Sequence, residues 1–76
     1  MFVNKNSMSS KLKKDLNKSA GYREKEIMQK ADYVTISENG RNLKFTMKNP
    51  NYGKDRYETT KSVSATFDLE KRTWIN

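Results

Sequence analysis

The hydrophobic pattern changes period along the chain. Between residues 11 and 31, Leu12, Leu16, Ala20, Ile27 and Ala31 recur at helical spacing. On a wheel of about 100° per residue they share an arc of about 100°. Ser9 or Ser10 is well suited to cap the start of this segment. The apolar face stays in register across Gly21, which predicts one continuous helix, with a break at Ala20-Gly21 as the alternative. Arg23 and Lys30 fall inside the apolar arc, where their aliphatic stems can cover a core while the charges reach water.

From Tyr33 onward the period becomes two. Val34 and Ile36, then Leu43, Phe45 and Met47, alternate with polar residues on either side of Asn39-Gly40. Asn-Gly between two such runs is a strong hairpin signal. It predicts a two-residue turn with φ > 0 at both residues and Glu38 opposite Arg41. Ile36 then faces Leu43, and Val34 faces Phe45, all on one side. Val63, Ala65 and Phe67 repeat the alternation, "DLEKR" turns, and "TWIN" returns. A turn centred near Glu70-Lys71 brings Phe67 to Trp74, a favourable cross-strand aromatic pair. With Trp74 inward, Ile75 faces out. A short apolar edge strand of this kind can pair with a second copy, giving a homodimer through a continued sheet.

These patterns predict an α+β fold: one N-terminal helix packed on one face of a three- to four-stranded antiparallel sheet made of two hairpins. The helix belongs on the face carrying Val34, Ile36, Leu43, Phe45, Met47, Val63, Ala65 and Phe67, because nothing else can cover it. The opposite face reads as polar throughout. Residues 1–8 form a flexible arm whose Met1–Val3 segment can add a short strand, and residues 9–76 form one small domain. A chain of 76 residues buries only about 60% of its unfolded surface.

Charge sharpens the picture. Sixteen Lys and Arg against nine Asp and Glu give a net +7. Residues 1–30 carry +5 of it and residues 31–76 only +2. That asymmetry favours a polyanionic partner, nucleic acid before an anionic membrane. The competing explanation is compositional, since Lys and Asn are frequent throughout. There is no signal-peptide pattern and no apolar run of membrane-spanning length, so the expectation is a soluble cytoplasmic protein without membrane contact.

Catalysis finds little support. The chain has no histidine and no cysteine, which removes the usual general base and the thiol nucleophile. Neither Gly40 nor Gly53 opens a phosphate loop, and no metal-ligand cluster is visible, so no cofactor is expected. A small toxin-type ribonuclease working with Lys54, Arg56 and Tyr57 is the one enzyme class compatible by residue type.

Two cationic groups stand out. On the helical wheel Lys11, Lys14, Lys18 and Lys25 fall within about 60°, opposite the apolar arc. Lys11, Lys13 and Lys14 crowd the first turn, where the helix dipole disfavours cations. Local stability does not account for that placement, whereas a polyanion laid along the ridge does; a merely solvated lysine face is the alternative. The second group lies in "NPNYGKDRYETTK", residues 49–61. Tyr52 could stack on a base there, with Lys54 and Arg56 near phosphates. Its Asn, Pro and Gly are also ordinary turn chemistry, and Tyr57 shares parity with the core residues of the following strand.

Two functional readings follow. The first is a small non-enzymatic accessory protein that binds DNA or RNA through Lys11, Lys14, Lys18 and Lys25, largely without sequence preference, with Tyr52, Lys54 and Arg56 as an auxiliary contact. The second is an inhibitor or adaptor of phage or mobile-element type that binds a host protein handling nucleic acid, as anti-CRISPR proteins do.

Overall fold

The computed structural model describes residues 1–4, 7–54, 56 and 60–75. Its elements run β1 (Phe2–Val3), α1 (Ser10–Ser19), α2 (Tyr22–Lys30), β2 (Tyr33–Ile36), β3 (Asn42–Lys48), β4 (Ser62–Asp68) and β5 (Thr73–Ile75). The strands form one antiparallel sheet in the order β1-β2-β3-β4-β5. The α+β class and the helix-on-sheet layering are as the sequence predicts. The counts differ, with two helices instead of one and five strands instead of three or four.

The extra strand comes from the N-terminal arm, where Phe2 pairs with Thr35 and Val3 with Val34. The extra helix comes from a break at Ala20-Gly21. Ala20 (φ −77°, ψ 129°) and Gly21 (φ −79°, ψ −177°) are both extended, and Gly21 caps the start of α2. Glycine is a poor helix former and an acceptable N-cap. Three residues on, Glu24 lies in the first turn of α2, where the dipole favours an acid. A Cβ at Gly21 would sit 3.1 Å from the Glu24 carboxylate, so that side chain folds back over the cap. Glycine at the cap with glutamate three residues later is close to a capping box. This start signal outweighs the continuity of the apolar face.

Both helices are shorter than the ~12–15 residues that hold helix in isolation, so packing stabilises them. Leu16 of α1 and Ile27 of α2 are buried with Ala31, Val34, Leu43, Phe45, Met47, Ala65 and Phe67. Helix α1 packs against β5, and α2 against β3 and β4. At the start of α1, Ser9 accepts a hydrogen bond from the Leu12 N–H at 3.1 Å. Near its end, the Trp74 indole N–H donates to the Leu16 carbonyl at 3.0 Å. That carbonyl is among the four that a helix C-terminus leaves without an intrahelical partner. Trp74 also meets Phe67 edge-on at 5.3 Å and Phe45 at 5.7 Å, so one residue joins α1, β3, β4 and β5. Ile75 points outward, as expected from Trp74 facing inward.

The hairpin registers are the predicted ones: Ile36 faces Leu43, Val34 faces Phe45, and Phe67 faces Trp74. The turn between β2 and β3 is built differently. Of Asn39 and Gly40, only Gly40 has positive φ, at 72°. Its N–H donates to the Ser37 carbonyl at 2.9 Å. The Asn39 side-chain Oδ1 accepts from the Arg41 N–H at 3.0 Å and from the Ser37 hydroxyl. Short polar side chains here take over bonds that a tighter turn would give to the ladder. The turn between β4 and β5 has no glycine, and Arg72 takes the left-handed position (φ 56°).

Candidate nucleic-acid interface

Lys11, Lys14 and Lys18 are exposed along α1, on the side away from Leu12 and Leu16. Among the described residues none of the three forms an ion pair. The one carboxylate on the helix, Asp15, is engaged by Arg72 at 3.6 Å. Arg72 reaches it because α1 lies against β5 and the turn before β5 carries the arginine toward the helix. The side chain that would dilute the lysine strip is thus neutralised from the sheet, which leaves the charge of the strip to its lysines. Sequence periodicity gave no hint of Arg72, since the pairing crosses from a turn to a helix 57 positions away. The one available clue was an isolated acid in a lysine-rich helix, which invites a cationic partner.

Lys25 is placed differently. In a continuous helix it would extend the ridge; the break at Gly21 puts it on α2, where it borders a cleft between the helices. This cleft, about 410 Å³ in volume, is lined by Met8, Leu16, Met28 and Phe45, with Lys13, Lys25, Asn17 and Gln29. Among the described residues it has an apolar floor, two lysines and no carboxylate. Lys13 joins it because, on the α1 wheel, it turns away from Lys11, Lys14 and Lys18.

The loop candidates lie elsewhere. Tyr52 is 42% exposed, and Lys54 and Arg56 are exposed. The base of the loop is tied by Asn49, which is buried. Its amide donates to the Thr60 carbonyl at 2.8 Å and accepts from the Asn51 N–H at 3.0 Å, while its backbone N–H donates to the Lys61 carbonyl at 3.0 Å. Asn49, Pro50 and Asn51 line a groove with Arg23, Glu26 and Ile27 of α2. The loop therefore starts beside α2, whereas the lysine strip is on α1. Tyr57, proposed as a core or ribonuclease residue, lies outside the described residues.

The other cations of the helical region are engaged. Arg23 donates to the Ser64 carbonyl at 3.0 Å, just past the stretch of β4 that β5 pairs with. Lys30 pairs with Glu26 at 3.2 Å across one helical turn. Both residues are exposed, and Arg23 lines a groove with Ile27, Met47 and Val63. In the β4–β5 turn, the Asp68 carboxylate is held below its usual pKa by the Lys71 N–H, partly opposed by desolvation, and further by the Glu70 N–H and the Lys71 and Arg41 charges. No helix among the described residues is long and apolar enough to cross a membrane.

The chain matches no protein-family model, no curated protein and no solved structure, so its geometry is the ground for a functional reading.

Proposed function

We propose that this protein is a small nucleic-acid-binding accessory factor that holds the phosphate backbone along α1, without sequence preference. Lys11, Lys14 and Lys18 are the contacts, and Arg72 supports them by neutralising Asp15. The observation that carries the reading is the state of α1: three exposed lysines that form no ion pair among the described residues, beside a single acid that Arg72 already engages. Such a strip favours a polyanion through release of its counterions. Base-specific contacts are not part of the reading, since the strip carries only flexible point-charge lysines, and the one amide on α1, Asn17, donates to the Lys13 carbonyl at 2.9 Å and lines the cleft. Titrating isotope-labelled protein with a short DNA or RNA at low salt tests it. Amide shifts concentrated on α1 and around Arg72 are expected; an unchanged spectrum with both polymers would refute the reading.

The cleft between α1 and α2 favours a second reading, an adaptor or inhibitor that captures an acidic, apolar segment of a partner protein. Methionines give such a floor adaptability, and Lys13 and Lys25 at its edge match carboxylates. A stoichiometric protein complex lost in Lys13→Glu/Lys25→Glu, with no binding to naked nucleic acid, would select this reading over the first.

A further inference from the structure

The sheet face that the helices leave open is not polar throughout. Phe2 joins it from β1, opposite Thr35, and Tyr33 lies on the same face of β2. Their rings meet edge to face, with centroids 5.7 Å apart at 78°. Phe2 is 75% exposed and Tyr33 46%. In a chain this small, leaving two large aromatic rings in water forgoes burial that the fold could use.

Lysines flank the rings, with one exposed carboxylate beside them: Asp32, next to Tyr33, accepts the Lys48 N–H at 3.0 Å. Lys44 follows Phe2 and Thr35 in one cross-strand row, which continues to Thr66 and Ile75. Thr46, opposite Tyr33, separates Lys44 from Lys48 along β3. Both lysines are exposed and lie about 13 Å apart along the strand. Neither forms an ion pair among the described residues. The one carboxylate on the β4 positions of this face is Asp68, at its far end, where it accepts the Glu70 and Lys71 N–H groups.

Exposed rings with flanking lysines on a flat sheet match the chemistry of unpaired bases and their phosphates. A duplex keeps its bases stacked inside and offers the rings nothing to stack on. We infer that the open sheet face binds single-stranded nucleic acid, Phe2 and Tyr33 stacking on bases while Lys44 and Lys48 hold the backbone. This rests on the nucleic-acid reading above and adds a polymer class to it. Because the helices cover the other side of the sheet, the α1 strip and this face are separate surfaces. A duplex or strand held by α1 leaves the face free for a single-stranded stretch.

The test is fluorescence anisotropy with labelled oligo(dT) of about twelve nucleotides and a duplex of equal length, using wild type, Tyr33→Ala, Tyr33→Phe, Phe2→Ala and Lys11→Glu/Lys14→Glu/Lys18→Glu. Tyr33→Ala and Phe2→Ala should each weaken oligo(dT) binding about tenfold or more. Duplex affinity and salt slope should stay unchanged, and Tyr33→Phe should bind like wild type. Wild-type affinity for oligo(dT) in both alanine variants overturns the inference, while loss of duplex binding in the lysine variant leaves the α1 reading standing. No binding of either polymer by wild type at low salt removes both. Sedimentation showing a dimer that Phe2→Ala dissociates also overturns it, since a second copy would then cover the face.

Discussion

Replacing Lys11 by glutamate should make the protein more stable and a weaker binder at once. Lys11 is the second residue of α1 after the Ser9 cap, and the first turn holds no acid. A cation there opposes the helix dipole and an anion complements it, an effect of about 0.3–1 kcal/mol. Two local terms nearly cancel: glutamate at position 11 attracts Lys14 three residues on and repels Asp15 four residues on, each worth about 0.2–0.5 kcal/mol. Asp15 is already held by Arg72, which softens the repulsion. The net gain of about 0.3–1 kcal/mol corresponds to a Tm roughly 2–6 °C higher for a domain of this size. On the binding side, one phosphate contact contributes about 0.9 to the slope of log K against log salt. Losing it should weaken binding roughly eightfold at 0.1 M salt, taking 1 M as the point where the contact contributes nothing. Thermal melting by circular dichroism and anisotropy on the same preparation measure the two effects. A lower Tm would refute the helix-end argument, and an unchanged affinity with an unchanged slope would remove Lys11 from the interface.

Three further outcomes follow from the packing. Asn49→Ala removes the amide that joins the Thr60 carbonyl to the Asn51 N–H at a part-buried site, so urea denaturation should show a loss of about 0.5–1.5 kcal/mol for each bond removed. Trp74→Phe keeps an aromatic ring beside Phe67 but removes the donor to the Leu16 carbonyl; a loss of about 0.5–1.5 kcal/mol is expected, with faster amide exchange at the end of α1. The depressed pKa of Asp68 means that its contribution to stability is present above its ordinary value near 3.8 and is lost as pH falls through the lower folded value. Asp68→Ala should therefore flatten the acid limb of the stability profile below that ordinary value, and an unchanged limb would contradict the turn geometry.

Much of the fold was legible because the sheet residues carry their instructions locally. Alternation of Val34, Ile36, Leu43, Phe45 and Met47 around Asn39-Gly40 specifies both the inward face and the register, and a shift of one residue would bury Lys44. Phe67 and Trp74 were legible for the same reason, even though the intervening turn has no glycine. What escaped were features decided by competition or by distant contact. The wheel treats Gly21 as one position in a continuous face, whereas the backbone treats it as a helix start supported by Glu24. That choice alone moves Lys25 from the ridge to the cleft. The capacity of Met1–Val3 to add a short strand was legible, but its pairing with β2 was not, and Arg72 acts on Asp15 far away in the chain. No local period announces either contact.

The central claim is that phosphates lie along α1, and the salt dependence of binding tests it most directly. Equilibrium constants for a DNA duplex are measured across salt concentrations for wild type and for Lys11→Glu/Lys14→Glu/Lys18→Glu, with circular dichroism confirming that both are folded. The account predicts a wild-type slope steeper by roughly 2.7 in log K per log salt, about 0.9 for each lysine lost. Equal slopes and equal affinities for the two folded proteins would contradict it.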